Sequence, residues 1–106
     1  MKKTYFTITG ISFHYGNQWL QAGFLTPGLR VHLTKEPDNE YDSEAIKVSA
    51  DILGQIGYVA NSTSTVLGES SSAGRIYDRF DDCAEGVIVF VTPKGVICEF
   101  VPESAE

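Results

Sequence analysis

The sequence is poor in cysteine: only Cys83 and Cys98 occur among its 106 residues. A hairpin turn predicted at residues 92–95 places Cys98 opposite Phe90 or its neighbour, several residues from Cys83, so a disulfide between them is not expected. The two histidines form no close ligand pair with either cysteine, which argues against a zinc site. We therefore predict buried free thiols, no metal and no cofactor, in a fold held together by its apolar core.

Long hydrophobic runs are missing as well. The longest uninterrupted apolar run covers residues 87–91, whereas a membrane-spanning helix needs about 20 apolar residues. Threonines and Gly10 interrupt the apolar residues after the basic start of the chain, so no signal peptide is predicted. We expect one domain over residues 1–106, with a core from about residue 5 to residue 102, in the cytoplasm and without a membrane partner.

Basic residues are scarce: 8 Lys and Arg stand against 14 Asp and Glu, a net charge of −6. Affinity for nucleic-acid phosphates comes mainly from Lys and Arg, so this charge argues against a protein that relies on nonspecific attraction to nucleic acid. It still permits one local basic groove. The chain also lacks an HExxH motif, a Gly-rich phosphate loop and a histidine paired with a candidate Cys or Ser nucleophile. We predict that the protein is not an enzyme.

What the sequence does contain is the two-residue period of half-buried strands. Apolar and polar residues alternate over residues 5–9, 29–34 and 46–48, and residues 55–59 supply another short strand. The run that ends near residue 102 completes a closing hairpin. About six or seven short strands separated by turns predict a mainly β fold, a small closed barrel with one or two short helices.

Helix is expected only between about residues 60 and 82. Asn61 or Ser62 is a candidate N-cap for a short helix, although the residues that follow are poor helix formers. Residues 75–80 fit either a second short helix or a strand.

A dense acidic turn follows the strand predicted at residues 29–34: residues 38–42 read Asp-Asn-Glu-Tyr-Asp. Calcium is not expected there, because the positions that an EF-hand fills with Gly and Glu hold Ser43 and Ser49. Asn39 and Asp42 have the short polar side chains that hydrogen-bond to a turn's own backbone. We predict that both cap this turn.

Residues 33–59, which read LTKEPDNEYDSEAIKVSADILGQIGYV, resemble the HIRAN domain, a small module found beside helicase and nuclease domains and also on its own in bacteria. The resemblance implies a modified OB-like β-barrel. It also implies a non-enzymatic nucleic-acid-binding module for single-stranded DNA, with a preference for a free 3′-OH end. An association with DNA repair, and a helicase or nuclease as partner protein, belong to the same expectation.

The resemblance assigns the acidic turn to the 3′ end of the DNA. In eukaryotic members of the family, the residues that match Asn39, Tyr41 and Asp42 hold that end: the Asp accepts a hydrogen bond from the terminal hydroxyl, and the Tyr packs on the terminal base. A carboxylate suits this role, because it is a strong acceptor for a hydroxyl and repels a 3′-phosphate. An exposed Tyr ring stacks on any base.

Two further clusters match family positions with changed residues. Where eukaryotic members have a basic residue and two aromatics, this chain has Ser12, Phe13 and His14, and Phe13 is either a stacking face or a core aromatic. Where they place His and Lys against phosphates, it has Tyr58 and Asn61, which donate hydrogen bonds without positive charge. Each lost charge-assisted hydrogen bond costs about 1.5–3 kcal/mol, so we expect weakened phosphate binding.

Compensating charge and alternative functions stay open. The basic residues that are candidates to replace the lost contacts are Lys35, Lys47, Arg75 and Arg79. The acidity of the chain favours an alternative, a protein-interaction module that uses the same groove or a β-edge after DNA affinity has been lost. A third alternative is a small-ligand site lined by Phe13, Tyr41 and Tyr58.

Overall fold

The structure, a computed structural model, describes residues 3–9, 23, 25–51, 53–62, 66–68, 70–92 and 95–101. The predicted site residues Phe13 and His14 lie outside these ranges. Within them the chain forms six strands and one short helix: β1 (Tyr5–Thr9), β2 (Arg30–Lys35), β3 (Ile46–Ala50), β4 (Gly54–Val59), α1 (Ala73–Tyr77), β5 (Cys83–Thr92) and β6 (Gly95–Val101).

The six strands close into one antiparallel barrel in the order β1-β4-β3-β2-β5-β6, with β6 pairing back onto β1. The prediction of a mainly β closed barrel is confirmed, and among the described residues helix occurs only within the predicted range of about 60–82. The choice between helix and strand for residues 75–80 is decided in favour of α1, which ends at Tyr77. In the described part of the chain, no helix has the length and apolar character that a membrane crossing requires.

Inward-facing residues at alternate strand positions fill the barrel interior. In β6, Val96, Cys98 and Phe100 are buried while the residues between them are partly exposed. Val31 and Leu33 repeat the pattern in β2. Full burial of an apolar side chain of this size stabilises the fold by about 1.5–3 kcal/mol. The alternation that is visible in the sequence is therefore what drives closure of the barrel.

The segment leading into α1 is tied to β1. The Ser71 amide donates to the Tyr5 carbonyl oxygen at 2.7 Å, and the hydroxyl oxygens of Thr7 and Ser70 are 2.7 Å apart. Ile76 of α1 is fully buried in the core. These contacts hold α1 against the barrel although the helix is only five residues long.

The two cysteines differ in their surroundings. Both are free, but only Cys98 is buried, so the prediction of two buried thiols is wrong for Cys83. Burial raises the pKa of the Cys98 thiol to about 12, which keeps it protonated and unreactive at neutral pH. The predicted pairing of Cys98 is also wrong: a β-bulge between Ile88 and Phe90 inserts one residue into β5 and sets Cys98 opposite Ile88.

Candidate nucleic-acid interface

The acidic turn lies in the connection between β2 and β3 and is organised by Asn39. In the structure it includes the flanking residues as well and covers residues 36–44. The Oδ1 atom of Asn39 accepts hydrogen bonds from the Tyr41 amide at 2.8 Å and the Asp42 amide at 3.1 Å. Its Nδ2 donates to Glu36 Oε1 at 3.2 Å. This is the side-chain-to-backbone capping predicted for Asn39, and it fixes the backbone on both sides of Tyr41.

Tyr41 and Asp42 present different groups from this fixed turn. The Tyr41 side chain is 89% exposed, an unusual position for a large aromatic ring. Asp42 Oδ1 accepts from the Glu44 amide at 2.9 Å, which confirms its predicted capping role, and Oδ2 accepts from Asn61 Nδ2 at 3.0 Å. A solvent-facing ring and an oriented carboxylate therefore belong to adjacent residues of this turn.

Asn61, just beyond β4, joins the acidic turn to α1. Its amide nitrogen donates to Asp42 Oδ2 at 3.0 Å and to Glu44 Oε1 at 3.2 Å, and its Oδ1 accepts from the Gly74 amide at 2.8 Å. An Asn side chain has two N–H donors, so both are used within the protein. Asn61 thus positions two carboxylates instead of presenting a free donor to a phosphate.

Tyr58 stabilises the other side of the turn. A β-bulge in the β3–β4 pairing makes Ile56 and Gly57 consecutive buried residues and leaves Tyr58 half-buried on the outer face. Its hydroxyl donates to Glu36 Oε1 at 2.7 Å. Burial, followed by the hydrogen bond to Glu36, raises the pKa of Tyr58 above its ordinary value of 10.0.

The raised pKa of Tyr58 predicts an alkaline stability effect. Neutral Tyr58 stabilises the folded protein, and this contribution should be lost as the pH rises from about 10 through the folded-state pKa. Tyr58→Phe should be about 1 kcal/mol less stable than the wild type at neutral pH, because one hydrogen bond is gone. Denaturant unfolding at several pH values should show that deficit shrinking above pH ~10. A deficit that stays constant above pH ~10 would mean that folding does not raise the pKa of Tyr58.

Two of the four candidate compensating cations are engaged in packing. Lys35 Nζ donates to the Phe80 carbonyl oxygen at 2.7 Å and lies 4.3 Å and 4.8 Å from the ring centroids of Tyr77 and Phe80. The Arg79 guanidinium lies 5.9 Å from the Phe100 ring centroid. Cation–π contacts of this kind hold the charge against the protein's own surface.

The other two cations flank the site. Lys47 lies directly opposite Tyr58 in the β3–β4 pairing, on the same outer face. Arg75 is exposed and lines a surface cleft together with Asn61. Positive charge is therefore present on both sides of the acidic turn.

Hydrogen bonds form a network that runs from Tyr58 through Glu36 and the acidic turn to Asn61. It brings together five of the predicted site residues: Asn39, Tyr41, Asp42, Tyr58 and Asn61. Three participants were missed by sequence reasoning: Glu36, Glu44 and Gly74. Glu36 and Glu44 lie at the ends of the acidic turn, a local signal that was available. Gly74 is 13 residues from Asn61, and nothing in the local sequence links the two.

The fold and this network define a small OB-like barrel that carries an aromatic and a carboxylate on one exposed turn. The model of the HIRAN domain matches residues 1–102, nearly the whole chain, and the chain belongs to that family. The HIRAN domain is a nucleic-acid-binding module. The chain is also similar to a protein from Lactobacillus plantarum of known crystal structure, with a TM-score of 0.64, 18% identity, and coverage of 92% of this chain and 88% of that one. At that identity the likeness concerns the fold alone. Among curated proteins none matches significantly.

Proposed function

We propose that this protein is a non-enzymatic module that binds single-stranded DNA and prefers a free 3′-OH end. The observation that carries the proposal is the Asp42 carboxylate fixed beside the exposed Tyr41 ring. Each Asp42 oxygen accepts one hydrogen bond from the protein and keeps further lone-pair capacity. A terminal 3′-hydroxyl has a hydrogen to donate there, whereas a 3′-phosphate brings negative charge against the carboxylate.

The acidic turn supports the proposal because it is organised before any ligand arrives. Asn39 holds the backbone of residues 41 and 42, and Asn61 with the Glu44 amide orients the carboxylate. A side chain that is already ordered loses little conformational entropy on binding. The two amide hydrogens of Asn61 also partly offset the negative charge of Asp42 and Glu44.

Tyr41 provides the affinity that does not depend on sequence. Stacking of a base on an aromatic ring contributes about 1–3 kcal/mol, and every base has a face suited to it. Because the ring stands in solvent, stacking needs no rearrangement of the core. Recognition of this kind involves no bond making and no cofactor, in keeping with a cytoplasmic module that delivers a DNA end to a partner helicase or nuclease.

The test compares oligonucleotides that end in a 3′-hydroxyl or a 3′-phosphate. Wild-type protein should bind the hydroxyl form about tenfold more tightly or better, the equivalent of one charge-assisted hydrogen bond. Asp42→Asn should bring the ratio close to one, because the variant loses the charge that repels the phosphate. Fluorescence anisotropy at low salt, with thermal unfolding to verify the fold, measures both effects.

Asp38→Asn is the matched control. Asp38 lies in the same turn, is exposed, and undergoes the same change of charge. It should leave the preference intact, while Tyr41→Ala should weaken binding of both ends equally. End recognition by Asp42 would be ruled out if wild-type protein bound the two ends with equal affinity. It would also be ruled out if Asp42→Asn and Asp38→Asn changed the preference for the 3′-hydroxyl to the same extent.

A second candidate function, protein interaction, is favoured by the far end of β5. Phe90 is 64% exposed and Val91 39% exposed, and exposed neighbouring apolar residues are typical of contact surfaces. Every strand of the barrel pairs with two neighbours, so a contact through these side chains is favoured over addition of a strand to a free edge. Phe90→Ser should leave DNA binding unchanged and abolish binding of such a partner.

A further inference from the structure

A surface cleft opens beside the acidic turn, on the far side of Asn61. It has a volume of about 510 Å³, and its described lining includes Asn61, Arg75 and the serines Ser62, Ser70 and Ser72. Pockets of about 300–1,000 Å³ hold ligands of small-molecule size. The cleft is therefore large enough for a sugar-phosphate unit, and its wall is polar and apolar in about equal parts.

Arg75 is the one charged side chain among the described residues that line the cleft. It is exposed and takes part in none of the ion pairs that the described residues form. Lys35 and Arg79, by contrast, lie against aromatic rings and a carbonyl oxygen of the protein itself. Arg75 is thus a cation available to an anionic ligand.

The neighbouring polar groups strengthen the case for Arg75. The hydroxyl hydrogen of Tyr58 goes to Glu36, and both amide hydrogens of Asn61 go to Asp42 and Glu44. These side chains therefore have no hydrogen left for a phosphate oxygen in this arrangement. A strand that reaches Asp42 needs a different donor for its backbone.

Hydrogen bonds connect Asp42 to the residue that precedes Arg75. Asn61 bonds to Asp42 through Nδ2 and to the Gly74 amide through Oδ1, and Arg75 is the next residue. The sugar whose 3′-hydroxyl contacts Asp42 carries its phosphate on the opposite, 5′ side. A strand that runs from Asp42 past Asn61 would therefore bring this phosphate toward the cleft that Asn61 and Arg75 line.

We propose that this cleft binds the internucleotide phosphate nearest the 3′ end, with Arg75 as its cation. The inference rests on the proposed function and gives the strand a direction, from Tyr41 and Asp42 across Asn61 into the cleft. A guanidinium suits the task because its planar N–H groups bind two phosphate oxygens at once. Arg75 then supplies the charge that Tyr58 and Asn61 lack.

The first arm of the test uses charge. Arg75→Gln should weaken binding of single-stranded DNA about tenfold or more. It should also reduce the slope of log affinity against log salt by roughly 0.7, the value of one phosphate contact on a single strand. Arg79→Gln, four residues on with the same change of charge, is the matched control and should leave the slope unchanged.

The second arm locates the phosphate. Oligonucleotides with one neutral methylphosphonate, placed in turn at each internucleotide position, should bind wild-type protein most weakly when the position nearest the 3′ end is neutral. Arg75→Gln should be insensitive to that replacement, since the contact is already gone. The inference would be overturned if wild-type protein and Arg75→Gln lost affinity at the same methylphosphonate positions and to the same extent.

The outcomes separate this inference from end recognition. If the wild type prefers a 3′-hydroxyl but Arg75→Gln keeps the full salt slope and the wild-type phosphate profile, the cleft is not the phosphate site. If the two ends bind equally but Arg75→Gln still lowers the slope, end recognition fails and the cleft stands. If wild-type protein does not bind single strands at all, both are wrong.

Discussion

Gly86→Ala should destabilise the protein by about 2–3 kcal/mol, whereas Gly74→Ala should leave its stability almost unchanged. The contrast is expected although an added methyl group would lie equally close to its nearest neighbour at both positions. A methyl group at either position would lie 2.7 Å from its nearest neighbour. At Gly86 that neighbour is the ring of Phe6, which is fully buried, with the Glu99 carbonyl oxygen at 3.1 Å as well. Overpacking a core costs about 1–3 kcal/mol because the surrounding atoms have nowhere to move.

At Gly74 the nearest atom is Oε1 of Glu44, the end of an exposed side chain that accepts the 3.2 Å hydrogen bond from Asn61. That carboxylate can rotate away at the cost of this hydrogen bond, about 1 kcal/mol. Alanine improves helix propensity by about 1 kcal/mol over glycine, which offsets the loss. Denaturant unfolding of the two variants measures the contrast. A similar loss of stability in both variants would show that Glu44 is held as rigidly as the core. Unchanged stability in both would show that the barrel interior can accommodate an added methyl group.

Asn61→Asp should be the most destabilising conservative substitution at the site. We expect it to lower the free energy of unfolding by about 3 kcal/mol at neutral pH. The substitution keeps the shape of the side chain but replaces the donor to Asp42 and Glu44 with a third carboxylate. Two charge-assisted hydrogen bonds are lost, each worth about 1.5–3 kcal/mol when fully formed, and repulsion is added. Partial exposure of these groups lowers the sum.

Asn61→Ala separates the two causes, because it removes the hydrogen bonds without adding charge. Asn61→Asp should be less stable than Asn61→Ala at pH 7, and high salt should narrow the gap by screening the carboxylates. Both variants should also lose the preference for a 3′-hydroxyl, since Asp42 is no longer oriented. Equal stability of Asn61→Asp and wild type would show that the contacts of Asn61 do not hold the acidic turn.

The contacts of Asn61 also explain why a basic residue cannot simply replace it. The lysine that eukaryotic HIRAN domains carry at this position would add a cation, but it has no acceptor for the Gly74 amide. In this chain the position is used to connect the acidic turn to α1. A basic contact to DNA is then better provided from a neighbouring residue, and Arg75 is the residue so placed.

Much of the architecture could be read from the sequence, because strand formation depends on local alternation. Val31 and Leu33 in β2, and Val96 and Phe100 in β6, show the period of two in the sequence and are buried in the structure. Bulges were not predictable in this way. An inserted residue in β5 and another in β4 shift the pairing, and each depends on the partner strand as much as on its own sequence.

The acidic turn could also be predicted from the sequence, because the capping hydrogen bonds of Asn39 and Asp42 join residues two or three positions apart. What the residues outside the turn do was decided by tertiary structure. Tyr58 and Asn61 read as phosphate donors in the sequence, yet folding brings them against Glu36 and Asp42, 22 and 19 residues away, and uses their hydrogens.

The fate of the positive charges shows the same division. Composition determined that this protein has few cations, but no local pattern distinguishes Lys35 and Arg79 from Lys47 and Arg75. The fold places the first two against aromatic rings and leaves Arg75 at the edge of the surface cleft. Sequence alone thus determined the strands, the turn and the family, because these follow from residues close together in the chain. Only the tertiary structure decided which charges and donors remain for a ligand, because that depends on partners distant in the chain.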